Sequence, residues 1–325
     1  MTTDPGGTRA ATHLSQERAE RTPPPPRPAS PVKLRAAPQG QLAALRYALR
    51  GQGLLWWELN RLARLPPDLS PTRRFTVQRA FSARILRHLR VRSEVRGPVP
   101  TGGPFLIVAL HESVTDPLCL VRALPLPLRF VARDEIFGWP GVGPAVTRLG
   151  HVAIHPEAQL GGYRTLLRAA RDILAGGESL VVFAQGTVAG IESDFQRGAF
   201  ELARRLAVPV LPVALSGTHR IWEHPFTPAL RYGQRVTVQL LPVVGVPEIL
   251  ATDPDVLRVR VRRALKAAAT RPDAAPPRHY RPERDGYWDG YRLDIDPDYP
   301  ELARHMADHR AARAAQPPSS SPLPE

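Results

Sequence analysis

One cysteine, Cys119, occurs in 325 residues. No disulfide can form within the chain, and a reducing compartment is the natural setting. There is no run of about 18 consecutive apolar residues, so no membrane-spanning helix is expected. Residues 1–37 lack the apolar stretch of a secretory leader, which points to a cytoplasmic location. Lysine is almost missing: Lys33 and Lys266 are the only two among 44 basic residues. Zinc-finger, helix-turn-helix and aromatic RNA-binding patterns are all lacking, so nucleic acid is not an expected partner.

Arginine supplies the charge instead, and the formal net charge is +14. Guanidinium groups suit phosphate and carboxylate. The balance therefore points to an anionic membrane surface or an anionic substrate, although a GC-rich genome that writes Arg for Lys gives the same bias. Proline, at 37 residues, gathers at the two ends. Residues 1–40 contain "TPPPPRPASP" and the chain closes on "QPPSSSPLPE". Both segments are expected to be disordered.

Between those ends the pattern changes twice. Residues 41–92 read as two amphipathic helices. The first, to residue 65, carries a stripe of Leu42, Leu45, Leu49, Trp56, Leu59 and Leu62, and Pro66-Pro67 ends it. The second begins after Ser70 as N-cap and Pro71 at N1, and runs to about Val91 with Phe81, Ile85 and Leu89 on its apolar face. Arginines edge both helices, and a Trp56-Trp57 pair marks the first. Such helices lie in a membrane interface, or they pack on the domain behind them.

Residues 93–270 alternate strands and helices. The strands are "FLIVAL" (105–110), "LRFVA" (128–132), "HVAI" (151–154), "SLVVFA" (179–184), "VPVLPVAL" (208–215) and "RVTVQLL" (235–241). Short, continuously apolar strands alternating with helices argue for an α/β domain, a mostly parallel sheet flanked by helices. Functional loops then belong at the strands' carboxyl ends. Residues 271–325 form an extended tail. Its "RPERDGYWDGYRLDIDPDYPELA" is too aromatic for plain disorder, and it is expected to lie as a strap over the domain or to bind a partner.

His111 stands where the "FLIVAL" strand ends, and Asp116 follows five residues later beside Pro117. Asp116 can return to hydrogen-bond His111 Nδ1, fixing the tautomer and raising the basicity of Nε2. Such a pair suits a general base that removes a proton from a substrate hydroxyl, although the spacing alone also fits a solvated loop histidine. Ser113 lies within no G-x-S-x-G turn, which argues against a covalent nucleophile. Further on, "VVFAQGTVAG" places Gln185, Gly186 and Thr187 at a strand's end. In "FQRGAFELA", Arg197 sits at a helix start, a place that holds anions.

In this order and spacing the blocks resemble the glycerolipid acyltransferase family, whose type member is 1-acylglycerol-3-phosphate acyltransferase. The family's N-H-x-S-x-x-D is matched by "LHESVTD" at His111, Ser113 and Asp116, with Leu110 for the Asn. Its F-P-E-G-T-R is matched by "FAQGTV" at Phe183, Gly186 and Thr187. Its F-K-x-G-A is matched by "FQRGA", and its V-P-V-x-P-V is present in full. The departures are Gln185 for the Glu, Val188 for the Arg, and Ile154-His155-Pro156 where the family's second motif ends in Arg. Those arginines are associated in the family with the acceptor's phosphate; Arg164, Arg168 and Arg197 are near enough in sequence to replace them.

The resemblance implies an O-acyltransferase peripheral on the inner face of the cell membrane. It implies His111 and Asp116 as catalytic residues, with Ser113, Gln185, Gly186, Thr187 and Arg197 binding substrate. Acyl-CoA or an acyl carrier protein would be co-substrate, with no metal and no cofactor. The acceptor would be lysophosphatidic acid, or a neutral lysolipid, glycolipid or other lipid alcohol given the missing arginines. A non-catalytic lipid-binding relative is the alternative of another class.

Overall fold

The computed structural model describes residues 41–155, 159–223, 230–281 and 294–314. The expectations for residues 1–40 and 316–325, and for Pro156, lie outside the described residues. Seven strands form one sheet: β1 (Arg92–Arg96), β2 (Leu106–Ala109), β3 (Leu128–Arg133), β4 (Val152–Ile154), β5 (Ser179–Phe183), β6 (Val210–Ser216) and β7 (Arg235–Leu240). Their order is β1-β7-β6-β2-β5-β3-β4. Every pairing is parallel except β6 with β7.

Helices cover both faces. On one lie α1 (Gln41–Ala63), α2 (Pro71–His88), α3 (Asp116–Ala123) and α5 (Val142–Arg148), with α4 (Asp134–Phe137) leading into α5. On the other lie α6 (Gln159–Ala175), α7 (Gly198–Leu206), α8 (Val246–Ala251) and α9 (Pro254–Ala269). Strand β2 is buried along its whole length, as a central strand of a covered sheet must be. Its side chains alternate: Leu106 and Val108 face α6–α9, while Ile107 and Ala109 face α1–α3. Each fully buried aliphatic side chain contributes roughly 1.5–3 kcal/mol, so β2 is a fixed platform. That platform aims whatever follows it.

The two N-terminal helices form as the sequence leads one to expect. Ser70 caps α2 by accepting from the Arg73 N–H, with Pro71 at N1. Phe81, Ile85 and Leu89 are buried on the domain together with Leu59 and Leu62 of α1. Glu58, fully buried, ties α1 to α2 by pairing with Arg84 as well as with Arg61. Two residues of the α1 stripe do not pack inward: Leu49 is 63% and Trp56 53% exposed, beside Trp57 at 59%.

Strand β1 was not expected. Helix α2 stops at His88 rather than Val91, and "RSEVR" then pairs with β7 at the sheet's edge. The edge position explains the missed signal. Only one side is paired, and the charged side chains face outward to Arg235 and Asp273, which hides the strand from an apolar pattern. Residues 275–281 cross the carboxyl edge of the sheet, and residues 294–298 are pinned to α9 by Lys266–Asp296 at 2.5 Å and Arg263–Asp298 at 2.8 Å. Helix α10 (Pro300–Ala314) closes the described chain, with Met306 buried against Val188 and Tyr280.

Candidate active site

His111 follows β2 with the same parity as Ile107 and Ala109, so its ring falls on the α1–α3 face. There it stacks on Phe183, the last residue of β5, with centroids 3.9 Å apart. Its backbone N–H donates to Gln185 Oε1 at 2.7 Å. Asp116 opens α3 and is fully buried. Asp116 Oδ2 lies 2.7 Å from His111 Nδ1 and accepts the N–H groups of Glu112 at 2.7 Å and Ser113 at 2.9 Å. Three donors converge on this one oxygen, which orients the imidazole in front of it. The Nδ1 proton is assigned from that partner, which leaves Nε2 with its lone pair.

The ring forms part of the wall of a cavity of about 1010 Å³, at the top of the range of roughly 300–1,000 Å³ usual for ligand sites. Leu55, Leu59, Phe81, Ile85, Val121 and Phe130 line its part between the N-terminal helices and the sheet. On the α6–α7 side the lining includes Tyr163, Gly186, Thr187 and Gln196. A ladder of rings runs from His111 over Phe183 and Phe130 to His151, with successive centroids 3.9, 6.3 and 5.2 Å apart. His151 also lines the cavity. Burial, with the charges of Arg129 and Arg74, pushes its titration down to about 3, so it is a neutral ring. Cys119 is fully buried and its thiol is pushed up by burial, then by Asp116, so it is no nucleophile.

Not every residue singled out in the sequence lines the cavity. Gly186 and Thr187 do; the left-handed turn at Gly186 (φ +73°) brings backbone to the cavity. The Thr187 hydroxyl is buried without a partner among the described residues. Ser113 and Gln185 are corrected to scaffold. Ser113 Oγ donates to the Trp222 carbonyl at 2.5 Å. The Gln185 amide bridges His111 N–H to the Gly190 carbonyl, so both its polar ends are occupied. Arg197 is corrected as well: it turns to Glu201 at 2.8 Å and Asp255 at 2.5 Å and is not among the lining residues. Arg164 and Arg168 are exposed on α6 and likewise outside the lining. Val188, where the family has Arg, is buried in the apolar cluster with Tyr280 and Met306.

Three residues were missed. Arg133, at the carboxyl end of β3, is the one guanidinium among the described lining residues; the sequence shows it only as a strand's last residue. Tyr163 sat on an apolar helix face. Glu112, between His111 and Ser113, has its carboxylate buried, which no local pattern in the sequence signals.

The acyltransferase family model matches residues 90–216, the stretch that carries the central strands and the His111–Asp116 pair. The matched domain, the curated relatives and the shared fold support a glycerolipid acyltransferase of the 1-acylglycerol-3-phosphate acyltransferase kind. The alpha 1-acyl-sn-glycerol-3-phosphate acyltransferase of Homo sapiens is 28% identical over 182 residues, 54% of this chain and 62% of that protein. A 1-acyl-sn-glycerol-3-phosphate acyltransferase of Limnanthes alba is 27% identical over 131 residues, 40% of this chain and 47% of that protein. The chain thus spans about half to three fifths of the length of these relatives. The solved structure of the 1-acyl-sn-glycerophosphate acyltransferase PlsC from Thermotoga maritima shares the fold, with TM-score 0.57 and 20% identity over 70% of this chain and 95% of that one.

Proposed function

We propose that the protein moves a fatty acyl group from a thioester, acyl-CoA or an acyl carrier protein, to a lipid hydroxyl, with lysophosphatidic acid as acceptor. The observation that carries this reading is the His111 imidazole, held by Asp116, in the wall of an apolar cavity large enough to hold a lipid chain. Nε2 takes the acceptor's hydroxyl proton as its oxygen attacks the thioester carbonyl. The tetrahedral adduct collapses, the C–S bond breaks, and the imidazolium returns its proton to the leaving thiolate. The Thr187 hydroxyl is a donor available in the cavity wall. The residues present call for neither metal nor cofactor in this sequence of steps.

Arg133 is the natural anchor for an anionic headgroup, its guanidinium beside Glu135 at 3.3 Å. A second reading, a neutral lysolipid or glycolipid acceptor, is favoured by Val188: the family's arginine position is filled by apolar packing. No helix among the described residues is long and apolar enough to cross a membrane. Trp56 is both exposed and part of the cavity wall, so the cavity mouth and Trp57 would meet a bilayer interface on the same side of α1. Labelled acyl-CoA offered with lysophosphatidic acid, monoacylglycerol and a lysoglycolipid in parallel tests the reading. Transfer to the first supports it, transfer only to the others selects the second reading, and no transfer to any acceptor overturns both.

A further inference from the structure

Residues 275–281 lie outside the stretch that matches the family, yet they run along the active-site edge of the sheet in strand order. At β7, the Ala275 N–H donates to Thr237 Oγ1 at 3.0 Å. After β6, Ala275 packs on Gly217, where an added Cβ would lie 2.6 Å from the Ala275 Cβ. After β2, the Arg278 N–H donates to Glu112 Oε1 at 2.8 Å. After β5, the Arg278 carbonyl accepts the Ile191 N–H at 2.9 Å, and its guanidinium donates to the Ala189 carbonyl. At Gly190 an added Cβ would lie 2.5 Å from Tyr280 N. Two loops have thus given up side chains where the segment crosses them.

Glu112 is the junction. It follows His111 directly, and its own N–H donates to Asp116 Oδ2, the same oxygen that holds the imidazole. Among the described residues its buried carboxylate forms no ion pair with an arginine or a lysine. Oε1 takes the Arg278 N–H, and Oε2 takes the Gly217 N–H at 2.9 Å with His219 Nδ1 at 3.3 Å. A carboxylate satisfied by backbone donors from two distant segments fixes the turn that carries it.

We propose that Glu112 is a positioning residue, the clamp through which residues 275–281 hold the His111–Asp116 turn in register with the Gly186–Gly190 loop. The C-terminal segment is on this account part of the active-site architecture. The kinetic arm of the test rests on the acyltransferase reading; the spectroscopic arm does not.

The test compares full-length wild type, Glu112→Gln, which keeps size and one acceptor, and Glu112→Ala. Glu112→Ala is expected to lower kcat at least about tenfold with both KM values within about twofold. Glu112→Gln should fall between it and wild type. The downfield Nδ1 proton resonance of His111, assigned by its loss in His111→Ala, should broaden or vanish in Glu112→Ala at a temperature where circular dichroism shows the native fold. Wild-type-like kcat and resonance in both variants would overturn the proposal. So would failure of both to fold, since Glu112 would then be structural only. If wild type shows no turnover, the acyltransferase reading fails while the resonance still decides this one.

Discussion

His111 and Phe183 stack with their ring planes 14° apart and centroids separated by 3.9 Å. The imidazole is thereby held from two directions, by Asp116 at its Nδ1 edge and by Phe183 at its face. Aromatic pairs contribute about 0.5–1.5 kcal/mol beyond burial. Phe183→Leu keeps an apolar floor without the stacked ring. It is expected to lower kcat about two- to tenfold with the His111–Asp116 contact retained. Steady-state kinetics of the purified variant checks this, and an unchanged kcat would show that the stack does not orient the base.

His151 lies at the far end of the same ladder, its Nδ1 accepting the Phe130 N–H at 3.3 Å. Its folded-state titration, near 3, lies below the unfolded value of 6.5. Below pH 6.5 the unfolded chain therefore binds a proton that the folded chain refuses. Stability from this group is complete above 6.5 and is lost as pH falls from 6.5 toward 3. Between pH 6.5 and 4, His151→Leu should show a shallower fall in Tm than wild type, even if its Tm at pH 7 is lower. Equal slopes would count against a buried neutral ring.

Arg133 carries the acceptor's charge on the lysophosphatidic acid reading. A charge-assisted hydrogen bond is worth about 1.5–3 kcal/mol, so Arg133→Ala should raise KM for lysophosphatidic acid about tenfold or more. KM for a neutral acceptor should be unaffected. Parallel loss on both acceptors would assign Arg133 to the fold rather than to the headgroup.

Trp57 is exposed on α1 and is not part of the cavity wall. Trp57→Ser is expected to weaken sedimentation with anionic vesicles while leaving transfer to detergent-dispersed acceptor near wild type. Vesicle binding equal to wild type would remove α1 from the interface account.

Local features were legible in the sequence and tertiary ones were not. "FLIVAL" reads as a buried strand because both its faces are covered, and five residues of spacing suffice for Asp116 to reach back to His111. Ser70 and Pro71 mark a helix start by their own chemistry. Arg197 misled because its partner Asp255 lies 58 residues away. Gln185 misled because its amide is consumed by His111 N–H and Gly190, a contact that spacing does not show. The Glu112–Arg278 link spans 166 residues, and β1 is specified by an edge position rather than by an apolar pattern.

The central claim is that His111 removes the acceptor's proton. Initial rates of acyl transfer from labelled acyl-CoA, wild type against His111→Ala with matched circular dichroism, test it most directly. A general base contributes about 10²–10⁴-fold, so the variant should lose at least about a hundredfold in kcat. Turnover within about tenfold of wild type would contradict the account.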